Sequence, residues 1–403
     1  MKLRFLRIIV GIVLCSCTNK GGSLFSGASG LPSYSGIDFD KIFSQKDNTF
    51  EHKDSILSVL NTYYQKIWEG RHLSGGLLIA KGDNIIFEKY KGYAKDNKRE
   101  PIGRDTPMHI ASTSKTMTAM AVMKLVEAGI INLNQALTDY FPNFPYKKVR
   151  IIDLLTQRSG LPKYEHFVEE IKPAPKQLNK KFLTNQDILD LMEAYKPPMV
   201  RPANTGFMYC NTNFALLALI IEKATKAPYP EAMQEILFKP LGMSHTFVFQ
   251  EKDIPTAAQS FYASGKRCPL DRLDLIYGDK NIYTTPRDLL RFSQAMYSPK
   301  FLNEELRKKI FIPYSNEKKG IRNYGIGFRM KIYDGGRKLV YHNGWWHGTN
   351  SVFVHMLESK TTIIAIGNKF SKSIYTAEEL SGLFGDYPEE REALLLALKE
   401  KND

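Results

Sequence analysis

Apolar residues recur with two different periods along this 403-residue chain. Between positions 54 and 68, Ile56, Leu60, Tyr63 and Ile67 return every three to four residues. That is the spacing of one buried helix face, with Asp54 as a candidate cap and Gly70 as a stop. The apolar runs 77–80 and 85–90, joined by Lys81-Gly82-Asp83-Asn84, predict a hairpin. A helix is expected from about 112 to 128, ended by Gly129, and residues 133–240 read as mostly helical around a basic, proline-containing loop at 172–181. Four further apolar runs, at 324–332, 338–341, 351–356 and 361–366, predict a second cluster of strands. Helical stretches at 375–384 and 389–399 follow it. Strands at both ends with helices between them imply one sheet assembled from distant segments, and a helical lobe inserted into an α/β body. Internal repeats, G-x-G-x-x-G and Walker patterns are absent from the sequence.

Composition changes this picture little. With 43% hydrophobic and 24% charged residues, 28 Gly and 20 Pro, the chain is ordinary globular protein, neither disordered nor fibrous. It is long enough to bury a sizeable core without disulfides or metals. Its 56 Lys and Arg against 42 Asp and Glu give +14, which alone would permit nucleic acid, a membrane surface or anionic substrates as partners.

The N-terminus narrows that choice. Lys2, Arg4 and Arg7 precede a short apolar run ending at Cys15, the form of an export signal and too short to span a bilayer. Leu14-Cys15-Ser16-Cys17 resembles the bacterial lipoprotein cleavage box, in which the cysteine is lipidated and becomes the new N-terminus. On that resemblance residues 1–16 are a lipoprotein signal peptide and Cys17 carries the lipid. Residues 17–48 then form the anchor and a flexible linker, since 18–36 hold five Gly and five Ser. Loss of the signal removes three positive charges and no acid, lowering +14 to +11. An exported chain does not meet nucleic acid, so the surplus is read as solubility first and affinity for anionic lipid or wall polymer second. The expected location is the bacterial cell envelope, on the periplasmic face of the outer membrane. Cys210 and Cys268 remain, and two free, buried thiols are expected rather than a disulfide.

Candidate chemistry begins at Ser112-Thr113-Ser114-Lys115. A spacing of three places a hydroxyl and an amine on one helix face, at an N-terminus whose N–H groups and dipole favour an anion. A serine becomes a nucleophile when a neighbouring base takes its proton, and a neutral lysine can do so. Taken alone, S-x-x-K is a weak signal. Tyr209-Cys210-Asn211, before a helix starting near 212, and His342-Asn343-Gly344, between two predicted strands, strengthen it.

In order and spacing these segments resemble the three motifs of serine β-lactamases and penicillin-binding proteins: S-x-x-K, Y-x-N and K-T-G or H-x-G. The likeness is to the class C branch, which includes D-alanyl-D-alanine carboxypeptidases and carboxylester hydrolases, and it extends over roughly residues 50–385. It is carried also by FEKYKGYA at 87–94, HIASTSK at 109–115, LLTQRSGLP at 154–162, LGMSHT at 241–246, IYTTPRDLL at 282–290 and YGIGF at 324–328. The resemblance implies an α/β chain of α+β type: an antiparallel sheet flanked by helices with an inserted all-helical lobe. Its hydrolase domain would span 49–387, with 388–403 as a short helical tail.

By the same resemblance Ser112 is the acylated nucleophile, and Lys115 and Tyr209 share the general acid and base work. Asn211 would donate to the substrate's acyl amide and hold Lys115. Backbone N–H groups of Ser112 and Trp345 would form the oxyanion hole, and Gly344 would let substrate lie along the strand. His342 would meet a substrate carboxylate or assist proton transfer. It stands where β-lactamases of class C carry lysine, so D-alanine-containing wall peptides rank first as substrate, small esters or amides second and β-lactams third. A penicillin-sensing or wall-binding lipoprotein without turnover is the alternative from another class. Gln157-Arg158 reads as structural variation and Cys210 as a tolerated small hydrophobe. Trp345-Trp346-His347 is either an aromatic wall for the acyl group or a bulky strand end. The eight histidines show no paired ligand spacing, so neither a catalytic metal nor a cofactor is expected.

Overall fold

A computed structural model describes residues 52–97 and 99–399 of the chain; the expected signal, Cys17 and the whole of the expected linker lie outside them. Helix α1, Lys53–Tyr63, widens into a π-turn over Tyr64–Glu69. Asp54 is in its first turn rather than at the cap, which falls to His52; from there it complements the helix dipole. The expected hairpin is β1, Gly75–Lys81, and β2, Asn84–Lys91. The two-residue strand β3, Met108–His109, leads into helix α2, Ser114–Glu127.

The inserted segment is less helical than its composition suggests. Its helices α3 (Ile151–Leu155), α4 (Tyr164–Glu170), α5 (Asn185–Tyr195), α6 (Asn211–Thr225) and α7 (Tyr229–Met233) alternate with long loops. Strands β4, Phe247–Val248, and β5, Ile282–Thr284, complete a small sheet of order β3-β5-β4. Helices α8, Pro286–Tyr297, and α9, Glu304–Ile310, precede the closing strands. These are β6 (Arg322–Tyr324), β7 (Arg329–Ile332), β8 (Lys338–Trp346), β9 (Thr349–Met356) and β10 (Thr361–Gly367). A 3-10 stretch over Lys372–Leu383, where an α-helix was expected, and helix α10, Pro388–Lys399, end the description.

All seven strands of the main sheet, in order β2-β1-β10-β9-β8-β7-β6, pair antiparallel. The sheet therefore joins the two ends of the chain through β1 and β10. Its central strands are apolar on both faces. Leu77 and Ile79 of β1, Val352 and Val354 of β9, and Ile363 and Ala365 of β10 pack towards α1 and the C-terminal segment. Their alternates Leu78, Phe353, Ile364 and Ile366 pack towards the helical lobe. Two-sided burial explains why these strands read as continuous apolar runs rather than alternating ones.

Two strand boundaries differ from expectation in ways that shape the site. The run 324–332 is not one strand: Gly325 to Phe328 turn the chain between β6 and β7. Gly327, at φ 74°, sits where a Cβ would lie 2.3 Å from the Cβ of Ala119, so the turn docks on α2. Strand β8 does not stop at Tyr341 but runs through the whole His342-Asn343-Gly344 segment. None of the described helices is long and apolar enough to cross a membrane.

Candidate active site

Ser112 occupies a 3-10 turn, Ala111–Thr113, at the entrance to α2. Ala111 holds φ 48°, a left-handed conformation that side chains disfavour, and neighbouring contacts keep it there. The Ser351 hydroxyl donates to the Ile110 carbonyl at 2.7 Å, and Ile110 N–H donates to Ile282 O at 3.0 Å. Thr113 Oγ1 lies 2.9 Å from Ser351 Oγ, tying the turn to β9. Residues 113–125 are all buried while Ser112 itself is only part-buried, so the hydroxyl stands at the surface of a rigid element.

Lys115 is fully buried and its Nζ lies 2.9 Å from Ser112 Oγ. The same nitrogen donates to the main-chain carbonyl of Asp279 at 2.8 Å. Asp279 is itself fixed from behind, its carboxylate accepting from the Tyr164 hydroxyl at 2.8 Å. Lys280 Nζ donates to that hydroxyl at 2.6 Å and lies 4.6 Å from the Trp346 ring centre. The amine is thus held by a buried relay of fixed polar groups.

Tyr209 stands at the end of the loop before α6, its ring centre 5.0 Å from Lys115 Nζ. The His342 ring is 6.3 Å away and the Tyr324 ring meets it edge-on at 6.5 Å. Over the Tyr209 ring, at 4.7 Å, sits the guanidinium of Arg329. The structure thus brings Ser112, Lys115, Tyr209 and His342 together from three distant segments. Among the described residues Ser112 Oγ hydrogen-bonds Lys115, with no such bond to Tyr209.

The structure bears on three of the expected roles. The Asn211 amide nitrogen donates to the Glu165 carboxylate, and Lys115 is held by Asp279 instead. Asn211 turns its Oδ1, buried and without a partner among the described residues, away from that bond. Gly344 serves the protein before any substrate: a Cβ there would lie 2.3 Å from Ile110 O and 2.3 Å from Ser351 Oγ. Its missing side chain is what lets β8 approach the nucleophile turn. His342 is fully buried, and burial first, then the Arg329 and Lys115 cations, push its pKa well below the ordinary value. Its Nδ1 donates to the Asn343 carbonyl at 2.9 Å, leaving Nε2 to accept from the Tyr324 hydroxyl at 3.4 Å. A neutral imidazole cannot pair with a carboxylate by charge; the cation beside Tyr209 is Arg329.

The tryptophan segment divides between its two readings. Trp345 is 62% exposed and packs on Phe370 with ring centres 6.3 Å apart. Trp346 and His347 turn inward and donate to Asp274, at 2.5 and 2.9 Å, as a structural strand end. Gln157 is more than variation. Fully buried at φ 57°, its Oε1 accepts from Cys210 N–H at 2.9 Å and from the Asn213 amide at 2.7 Å, latching the Tyr209 loop. Cys210 and Cys268 are both free and buried, and burial pushes the Cys210 thiol up to about 11. Sequence reasoning missed Arg329, Asp279 and Tyr324. Only the YGIGF segment, ending one residue before Arg329, pointed towards the first and last of them.

The family profile described as Beta-lactamase matches residues 54–379. Penicillin-binding protein 4* of Bacillus subtilis (strain 168) is 28% identical over 354 residues, covering 82% of this chain and 77% of that protein. A penicillin binding protein from Bacillus halodurans superposes with a TM-score of 0.69 at 27% identity, over 83% of this chain and 100% of that one. A D-amino acid amidase from Ochrobactrum anthropi SV3 shares the fold, with a TM-score of 0.65 at 22% identity over 85% and 98% of the two chains.

Proposed function

Because this chain belongs to the β-lactamase family of serine hydrolases, whose members include penicillin-binding proteins and amidases, we propose that it hydrolyses acyl compounds through a Ser112 acyl-enzyme. The observation that carries this reading is the 2.9 Å approach of Lys115 Nζ to Ser112 Oγ at the start of α2. In its uncharged form Lys115 takes the hydroxyl proton as Oγ attacks the carbonyl carbon. The negative charge formed on the carbonyl oxygen meets the backbone N–H groups of Ser112 and Trp345. The Tyr209 phenol gives its proton to the leaving group and is reprotonated from Lys115, and water then cleaves the ester by the reverse path.

D-alanine-containing peptides remain the first substrate class, followed by small esters or amides. β-Lactams rank third, since the third-motif position holds a buried, neutral His342. The lipoprotein signal supports a place at the cell envelope, with Cys17 as the lipid site. Incorporation of labelled palmitate, lost in Cys17→Ala, tests the anchor. The substrate order is tested by turnover of an acyl-D-Ala-D-Ala peptide, a short-chain aryl ester and a chromogenic cephalosporin. The peptide is expected to be cleaved fastest. A cephalosporin cleaved faster than both others overturns the ranking, and a cephalosporin adduct that persists for hours identifies a receptor without turnover.

A further inference from the structure

Beyond Tyr209 opens a cavity of about 640 Å³ between the loop before α6, the loop leading into β6, and strands β6 to β8. Its lining carries five cations: Arg201, Lys318, Lys319, Arg322 and Arg329. The single acid in it, Glu317, is already paired with Arg158. Among the described residues none of the five cations has a carboxylate partner within ion-pair distance. Arg329 is the inner end of the series, 4.7 Å from the Tyr209 ring centre, and the other four are exposed along the outer rim. Phe207 and Tyr324, with ring centres 5.5 Å apart, give the cavity an aromatic wall. Arg322 and Arg329 also border a neighbouring pocket lined by Glu378, Glu379, Glu389 and Glu390. The cavity itself holds one acid, already paired, so its five cations raise the local concentration of anions, and guanidinium groups match carboxylate and phosphate geometry.

We propose that this cavity receives the leaving-group side of the substrate and selects one carrying more than a single negative charge. The direction follows from the chemistry: the leaving group must lie beside the phenol that protonates it, and Arg329, which lies over that phenol's ring, also lines the cavity that the other four cations share. The inference rests on the acyl-enzyme reading and names the substrate class that reading leaves open. A lone carboxylate would need only Arg329. The four outer cations fit a phosphate or a second acidic group further along.

Three aryl acetates test this, sharing the acyl group and differing only in a spacer-linked tail on the phenol: neutral, a single carboxylate, or a phosphate monoester. At low ionic strength kcat/KM is expected to rise from neutral to carboxylate to phosphate, at least about ten-fold overall, and to converge near 0.5 M salt. The triple variant Lys318→Gln, Lys319→Gln, Arg322→Gln should lose most of that preference while the neutral ester is turned over as before. Equal turnover of neutral and phosphate-tailed esters, or a preference that survives in the triple variant, overturns the proposal. Calorimetric binding of the free phosphate-tailed phenol to the full chain separates the two ideas. If no ester is cleaved but this phenol binds and the triple variant loses it, the acyl-enzyme reading fails and the anion cavity stands.

Discussion

The two sides of the Ser112 hydroxyl are built differently. On the amine side Lys115 is sealed inside the protein between α2 and the Asp279 carbonyl, with Tyr164, Lys280 and Trp346 fixing that carbonyl in turn. On the phenol side Tyr209 rests under a guanidinium with no carboxylate partner among the described residues, and the space beyond it is open and cationic. One side is preorganised by core packing, as proton transfer requires. The other is made from loops and short strands, where sequence can vary without disturbing the core. The reaction and its selectivity are thereby carried by separate parts of the molecule.

The sharpest way to break this division is Lys115→Met, which keeps the apolar stem and deletes the amine. It should lower kcat by about a thousand-fold for every ester, whatever its charge. A loss confined to anionic esters would place Lys115 on the wrong side of the comparison.

A second test concerns the neutrality of the buried imidazoles. His109 and His355 are each pushed down to about 3 and His342 well below its ordinary value, in every case by burial first. The unfolded chain takes up these protons below about pH 6.5 and the folded chain does not. Stability is therefore complete above that pH and lost as pH falls towards 3, by about 1.4 kcal/mol per pH unit for each histidine. For His347 burial alone would lower the pKa, but its bonds to Asp274 outweigh that and raise it, so its smaller effect has the opposite sign. Urea midpoints at pH 7 and 5.5 should differ steeply in the wild type and less in His355→Gln. An unchanged slope in that variant would contradict the account.

Gly344→Ala should cost about 1–3 kcal/mol by forcing β8 off the nucleophile turn. Turnover should fall for neutral and anionic esters alike, and wild-type stability in the variant would show that the close approach is not needed. The smallest expected effect is none: in the folded chain Cys210 should not react with a thiol reagent over hours, and rapid labelling would contradict its burial.

The central strands and the nucleophile helix were legible in the sequence because burial imposes a local pattern: apolar runs for β1, β9 and β10, and a helix ended by Gly129. The three site segments were legible because their residue types carry chemistry at fixed spacing. What stayed hidden depends on pairing between distant segments. Arg329 reaches Tyr209 because β7 pairs with β8, Arg329 opposite Tyr341, and neither strand records its partner. Asp279 acts through a main-chain carbonyl, which every residue possesses, so no side-chain pattern can announce it. Gln157 resembled neutral variation because its partners, the Cys210 amide and Asn213, lie more than fifty positions away. The break within 324–332 was missed because Gly325 and Gly327 are short interruptions in an apolar run, and their need for space arises from Ile310 and Ala119 in other elements.

The most direct measurement is the mass of the intact protein after brief exposure to a fluorophosphonate, followed by peptide mapping. One adduct on Ser112 is expected, absent from Ser112→Ala and formed far more slowly in Lys115→Met. A wild-type protein that stays unmodified, or an adduct that persists undiminished in Ser112→Ala, would contradict the assignment of the nucleophile.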